Sequence, residues 1–329
     1  MTAEEFKSDF LSDSPTLTVK TSGSTGAPKQ MLVEKHRMLS SARMTCDFLN
    51  LTSEDTALLC MNLDYIGAKM VVVRAIERGM SLIEIAPCGH PFAHIESKID
   101  FAAIVPLQLY NTLLVPEETE KLKSVRQVII GGGAVDDEVE QRLRDFPNAI
   151  WSTYGMTETL SHVAMRRLSG DNASLWYSPL NGVAISQDAE GCLVIDAPAL
   201  NPSRLITNDI VELNQYGQFR VLGRRDNVIC SGGVKLQIEE LERQLRPNLS
   251  KPFVITKRKE PKFGEIVVLV TEDANTDNVK KVCEQILDKY SCPKIYLRIK
   301  SVLRTQTGKI ARADMEEYAK REILKVTKG

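Results

Sequence analysis

Ala102-Ala103-Ile104-Val105-Pro106 and, one helix length further on, Val125-Arg126-Gln127-Val128-Ile129-Ile130-Gly131-Gly132-Gly133 carry the pattern that decides the fold. An apolar run is stopped by proline, and Leu107–Leu114 continues with helical spacing. A second run, rich in valine and isoleucine, then ends in three glycines. Strand, helix, strand and turn in that order predict an α/β domain with a largely parallel sheet. The alternation extends upstream. Met38, Leu39, Ala42 and Leu49 fit one helix face, Ala57–Met61 reads as a strand, Ile66–Arg78 as a helix closed by Gly79, and Ser81–Ile85 as a strand. From Leu180 onward the texture changes. Short strands at Cys192–Ile195, Ile210–Leu213 and Gln218–Leu222, separated by Gly and Asn-Gly turns, predict an antiparallel subdomain. A helix at Ile238–Leu245, strands at Phe253–Thr256 and Ile266–Val270, a helix at Thr276–Tyr290 and a strand at Ile295–Ile299 predict a small α+β unit. The expected organisation is one domain over residues 1–224 and a second over 225–329, with the boundary near Arg224–Asp226.

Bulk composition excludes several function classes. The chain has 329 residues, 43% of them hydrophobic, which is enough to bury a large core without disulfides. Its 42 basic and 43 acidic residues nearly cancel, so no global charge draws it to nucleic acid or to an anionic membrane. Met1–Leu17 is acidic and polar, unlike a secretory leader, and no apolar run approaches the roughly 20 residues that cross a bilayer. Seven cysteines without a C-x-x-C pair fit reduced, buried thiols in a cytoplasmic protein. Cys88, His90 and His94 lack a fourth ligand at finger-like spacing, and Pro91 interrupts them, so they are not read as a metal site.

Two constellations carry chemistry. The first is Thr21-Ser22-Gly23-Ser24-Thr25-Gly26-Ala27-Pro28-Lys29, read as a loop between a strand and a helix. Glycine lets backbone N–H groups wrap an anion, hydroxyls donate further hydrogen bonds, and lysine adds a point charge. Gly26 is followed by Ala27 and Pro28, so the loop is not a Walker A motif, and by itself such a run is also the composition of an ordinary surface loop. The second is Ser152-Thr153-Tyr154-Gly155-Met156-Thr157-Glu158-Thr159, read as following a strand. Hydroxyl beside carboxylate can hold a phosphate and its magnesium, although the same residues also make a polar helix cap.

Together these segments resemble the adenylate-forming superfamily of acyl-CoA synthetases, peptide-synthetase adenylation domains and luciferases. Thr21–Lys29 is similar to its phosphate loop, Tyr154–Glu158 to its Tyr-Gly-x-Thr-Glu motif, and Thr207-Asn208-Asp209 to its Thr-Gly-Asp motif with Asn in place of Gly. Gly223-Arg224-Arg225-Asp226 with Ser231-Gly232-Gly233 and Glu239–Glu242 resembles its hinge segment. Arg304-Thr305-Gln306-Thr307-Gly308-Lys309 resembles its C-terminal lysine motif. The resemblance implies ATP, magnesium and CoA as cofactors and co-substrates, and a small carboxylic acid as partner. Thr21, Ser22, Gly23, Ser24, Thr25, Gly26 and Lys29 would bind phosphate. Gly131, Gly132, Gly133 and Ala134 would lie against adenine and Tyr154 and Gly155 would also bind the cofactor, while Thr157 and Glu158 would serve catalysis, Glu158 as magnesium ligand. Asp209 would hold the ribose diol and Arg224 ribose or phosphate. Lys309 would stabilise the charge that develops at the α-phosphate, and Asp226 would be the hinge of a mobile lid.

Asn62–Arg74 resembles the corresponding helix of o-succinylbenzoate–CoA ligases, which implies that Tyr65, Lys69 and Arg74 line the acyl site and that Arg74 holds a second carboxylate. On the residues alone, Lys69 and Arg74 are equally solvated positions of a helix face. Three departures stand out. Only 20 residues precede Thr21, too few for the family's usual N-terminal subdomain, so the chain is read as a natural short form or a fragment, with Met1 and the polar lead-in favouring the former; Tyr65 replaces a frequent His; and Leu303-Arg304 lacks the preceding proline. The apolar surface exposed by the missing subdomain would favour a homo-oligomer. The expectation is therefore an AMP-forming acid–CoA ligase acting on o-succinylbenzoate in menaquinone biosynthesis. The alternatives are another aryl or short acyl acid, a carrier-protein loading enzyme, or a nucleotide-binding pseudoenzyme or assembly partner.

Overall fold

A computed structural model of the chain describes residues 1–20, 30–261, 264–304 and 310–328. By contact density it divides into two compact units. One comprises Met1–Ser186, Val194–Ile206 and Leu213–Arg220; the other comprises Gln187–Leu193, Thr207–Glu212 and Val221–Gly329.

The first unit opens with helix α1 (Ala3–Phe10), for which the polar reading of Met1–Leu17 made no provision. Thr2 and Glu5 form a reciprocal capping box that satisfies its first N–H groups, and Ala3, Phe6 and Phe10 turn one apolar stripe inward. Each buried phenylalanine contributes about 1.5–3 kcal/mol, so the helix is docked rather than frayed. Strands β1 (Thr16–Lys20) and β2 (Gln30–Glu34) pair antiparallel, with Lys20 opposite Gln30. The segment 21–29 therefore joins two strands, not the strand and helix expected, because Gln30–Glu34 extends before helix α2 (Lys35–Leu49) begins.

Next come β3 (Thr56–Leu59), α3 (Ile66–Arg78), β4 (Ser81–Glu84), β5 (Phe101–Ile104), α4 (Pro106–Leu114), α5 (Pro116–Ser124), β6 (Gln127–Ile130), α6 (Asp137–Leu143), β7 (Ala149–Gly155), β8 (His162–Arg167) and β9 (Ser178–Pro179). The seven strands lie in the order β4-β3-β5-β6-β7-β8-β9. The first five are mutually parallel, and β8 and β9 add antiparallel pairs at the end. The expected largely parallel α/β sheet is present. Alternation decides which face each residue serves. Ala57, Leu59, Phe101, Ala103 and Ile129 join the core under α1, α2 and α3, whereas Leu58, Cys60, Ala102, Ile104, Val128 and Ile130 join the core with α4, α5 and α6. Helix ends obey local chemistry. Gly79 and Asn50 close α3 and α2 in left-handed conformation, and Pro106 and Pro116 occupy the first turns of α4 and α5.

Strands β10 (Ala184–Gln187), β11 (Cys192–Asp196), β12 (Leu205–Leu213) and β13 (Phe219–Arg224) form a four-stranded sheet in sequence order. The C-terminal α+β unit contains β14 (Val228–Ser231), β15 (Val234–Gln237), α7 (Ile238–Leu245), β16 (Phe253–Glu260), β17 (Gly264–Thr271), α8 (Thr276–Ile286), β18 (Ile295–Arg298) and α9 (Arg312–Lys328). Ile255, Val267 and Leu269 face α7 and α8, and Val254, Val268 and Val270 face Met315, Ala319 and Ile323 of α9. Arg312 clamps the buried Glu242 of α7 with bonds of 3.1 and 2.7 Å. Helix α8 is shorter than the expected 276–290. The Asp288 carboxylate accepts from the N–H groups of Tyr290 and Ser291, and so draws the chain into a turn.

All seven cysteines are free, but Cys88 and Cys230 are exposed, contrary to the expectation of buried thiols throughout. Burial pushes the Cys60 thiol up to about 12 and Cys283 up to about 11, which makes both inert near neutrality. Among the described residues, no helix is long and apolar enough to cross a membrane.

Candidate functional site

In an open α/β sheet ligands gather beyond the carboxyl ends of the strands, and several expected site residues stand there. Gly131, Gly132, Gly133 and Ala134 leave the end of β6, where the Gly131 N–H donates to the Ile104 carbonyl at 3.1 Å. A side chain on Gly131 would lie 3.0 Å from Thr153 Oγ1, and Gly132 has φ +80°, so both positions favour bare backbone. On the neighbouring strand Tyr154 packs edge-on against Phe219 at 5.0 Å and against Tyr177 at 5.9 Å. Ser152 through Gly155 lie within β7 rather than after it. Thr157 and Glu158 occupy a single 3-10 turn, Thr157–Thr159, with Thr157 half-buried and Glu158 exposed.

Gly155 has a structural reason to be glycine. A Cβ there would meet the Ser161 carbonyl oxygen and lie 2.5 Å from His162 Cα, because the turn folds β8 back across β7 at a register shift. The turn itself is tight. Thr159 Oγ1 accepts from the Met156 N–H at 3.1 Å and lies 2.7 Å from the Ser161 carbonyl oxygen, and Leu160 is buried at φ +64°. A non-glycine residue in that region marks a conformation the surroundings enforce.

Helix α3 carries the expected acyl-site residues. Tyr65 caps its N-terminus and is half exposed. Lys69 is buried, with its ammonium 5.0 Å from the Phe6 ring centroid and 4.0 Å from Met1 Sδ, so α1 covers it. Arg74 is 1% exposed, which removes the solvated-helix reading. Its Nη2 donates to Ser161 Oγ at 2.8 Å, while Nε is buried without a hydrogen-bond partner among the described residues. Burial pulls its guanidinium down to about 10. Behind Ser161 stands His162, whose Nδ1 is 3.4 Å from Ser161 Oγ and whose Nε2 is 3.0 Å from Thr45 Oγ1 on α2. Burial first, and Arg74 second, hold His162 well below its ordinary value, so the imidazole is neutral. Sequence reasoning missed Thr45, Ser161 and His162. The only signal was that the latter two follow directly on Tyr154–Thr159.

In the other unit Asp209 and Asp226 flank Arg224. Its Nη1 donates to Asp209 Oδ1 at 3.2 Å and its Nη2 to Asp226 Oδ2 at 3.4 Å. Asn208, which replaces the family's glycine, donates to Asp226 Oδ2 at 3.2 Å and accepts from Arg225 at 2.5 Å. The departure thus ties the expected ribose motif to the expected hinge residue. Gly223 is likewise constrained, since a Cβ would collide with the Gln237 side chain.

The phosphate-loop residues Thr21, Ser22, Gly23, Ser24, Thr25, Gly26 and Lys29, and the lysine Lys309, lie outside the described residues. No cluster of three or more His, Cys, Asp or Glu side chains suited to a metal occurs among the described residues. The exposed Glu158 carboxylate offers the hard oxygen that magnesium prefers, and the remaining ligands would come from phosphate and water.

Three comparisons bear on this arrangement. Residues 6–196 match the family model described as AMP-binding enzyme. A 2-succinylbenzoate–CoA ligase from Bacillus mycoides (strain KBAB4) is 24% identical over 352 residues, spanning 96% of this chain and 73% of that protein. Among solved structures, an acyl-CoA synthetase (AMP-forming)/AMP-acid ligase II-like protein from Dyadobacter fermentans DSM 18053 is 32% identical. The match covers 96% of this chain and 93% of that one with a TM-score of 0.67. The o-succinylbenzoate coenzyme A synthetase of Bacillus subtilis, in complex with ATP and magnesium ion, shares the fold with a TM-score of 0.73 at 20% identity, covering 90% of this chain and 68% of that one.

Proposed function

We infer the substrate and mechanism from one premise: the chain belongs to the AMP-binding enzyme family and is an AMP-forming acyl-CoA ligase. The reading supported best is activation of o-succinylbenzoate and its transfer to CoA. Arg74 carries it. A buried guanidinium bonded to a neutral hydroxyl, with an N–H left over, is held against its desolvation penalty and stands ready for an anion. A monoacid has its single carboxylate engaged in chemistry; a substrate with a second carboxylate would fill that need. The Bacillus mycoides relative named for 2-succinylbenzoate supports the choice.

In the first half-reaction a carboxylate oxygen attacks the α-phosphorus of ATP, the bond to the bridging oxygen breaks, and pyrophosphate leaves. Residues 21–29 would hold the β- and γ-phosphates, and Lys309 would stabilise charge on the pentacoordinate phosphorus. Tyr154 and Gly131–Ala134 would face adenine; Asp209, with Arg224 beside it, would accept from the ribose hydroxyls. Thr157 and Glu158 would hold magnesium, whose charge would offset that of the departing pyrophosphate. In the second half-reaction the CoA thiolate attacks the acyl carbon and AMP leaves. Residues 225–329 would act as a lid turning about Asp226 between the two steps, so that each excludes water.

The test is pyrophosphate release and thioester formation with Mg-ATP, CoA and o-succinylbenzoate, beside benzoate, acetate and medium-chain acids. Release confined to o-succinylbenzoate is expected. Equal release with benzoate would overturn the substrate reading while leaving the reaction intact. In the same assay Asp226→Pro should slow thioester formation more than adenylation, and equal losses would remove the hinge.

A further inference from the structure

We propose that His162 is a positioning residue for Arg74, acting through the Ser161 hydroxyl, with Thr45 selecting the imidazole tautomer. The inference rests on the reading of Arg74 as the cation for a second substrate carboxylate, and extends it to residues that touch no substrate.

The donors can be followed one by one. Thr45 Oγ1 lies 3.1 Å from the Ser41 carbonyl, an acceptor only, so its proton points there. Its lone pairs then face His162 Nε2 at 3.0 Å, which must carry the hydrogen. A neutral ring protonated at Nε2 has its lone pair on Nδ1, 3.4 Å from Ser161 Oγ. Ser161 already accepts from Arg74 Nη2 at 2.8 Å, so its own proton is directed at Nδ1. Every hydrogen in the relay runs one way, from Arg74 to Ser161, to His162, to Thr45, to Ser41.

The direction matters for recognition. With its proton drawn to His162, Ser161 presents only lone pairs to the guanidinium and anchors it at Nη2. Arg74 Nε is left buried and unpartnered among the described residues, as a fixed donor for a carboxylate. The backbone supports the same geometry. Leu160 at φ +64° and the lack of room for a side chain at Gly155 place Ser161 and His162 where β8 starts, against α3 and α2. A charged His162 would set a second cation beside Arg74 and leave Ser161 without an acceptor; burial keeps the ring neutral.

Two measurements decide. In wild-type protein labelled with 15N-histidine, long-range 1H–15N spectra should show His162 as the neutral Nε2–H tautomer at pH 7; an Nδ1–H tautomer or a charged ring overturns the relay. Kinetically, His162→Leu should raise KM for o-succinylbenzoate by about tenfold, with KM for ATP and for CoA within about twofold of wild type. His162→Asn, whose amide oxygen can stand in for Nδ1, should restore most of that loss. An equal rise for all three substrates, or no rise, overturns the proposal. Arg74→Ala separates the two levels. If it leaves KM for o-succinylbenzoate unchanged, the second-carboxylate reading fails; if it raises that KM while His162→Leu does not, only the positioning role fails.

Discussion

Arg74 and Arg224 meet opposite surroundings. Arg224 is half exposed and shared between two carboxylates, Asp209 at 3.2 Å and Asp226 at 3.4 Å. Arg74 is buried, bonded to the Ser161 hydroxyl, with no carboxylate paired with it among the described residues. An exposed pair exchanges water for a counterion at little net gain. A buried cation without a counterion destabilises the free protein, and such a group persists where a ligand supplies the missing charge. Arg224 therefore reads as a residue whose contacts can be exchanged during turnover, and Arg74 as one whose position must not change.

The contrast breaks most visibly at Arg74. Arg74→Met should lower kcat/KM for o-succinylbenzoate by roughly two to three orders of magnitude, the scale of removing one partner of a buried charge pair. The melting temperature of the ligand-free variant should be equal or higher. A fall of several degrees would mean that the guanidinium is a structural element. Asp209→Asn should do less. It keeps the shape but halves the acceptor strength toward a diol, so KM for ATP should rise by about tenfold, with stability little changed because the Arg224 end of the pair is half exposed. An unchanged KM would free Asp209 from the ribose.

The smallest effect is a slope. His162 is neutral and buried in the folded protein, whereas in the unfolded chain it takes up a proton below its ordinary value of about 6.5. Its contribution is thus fully present above pH 6.5 and is lost as pH falls toward the depressed folded value. Wild-type stability should decline between pH 7 and pH 5, and His162→Asn should flatten that decline by at most about 1.4 kcal/mol per pH unit. Parallel curves would show that the ring takes up its proton over the same pH range in the folded and the unfolded chain.

Much of the parallel sheet was legible because its punctuation is local. Pro106, Gly79 and the Gly131–Gly133 run end elements through their own backbone preferences, and β5 and β6 are apolar on consecutive positions because both faces are covered. Helix α1 was hidden because only three apolar residues among polar ones carry its stripe, and the stripe gains meaning only once α3 lies beneath it. The extra strand before α2 was hidden because Gln30–Glu34 mixes polar and apolar residues in the way loops do.

By itself, the sequence displayed the hydroxyls, glycines and carboxylates whose pattern resembles an adenylate-forming family, since types and spacing are properties of short segments. It also supplied an arginine on α3 whose role remained open between solvent and ligand. Only the tertiary structure removed the solvated reading, since Arg74 is buried. Burial is a property of everything packed around a side chain, and the groups that set the Arg74 environment come from helix α2, helix α3 and the turn into β8. Thr45 and His162 stand 117 positions apart, so no local pattern records that they share a hydrogen bond.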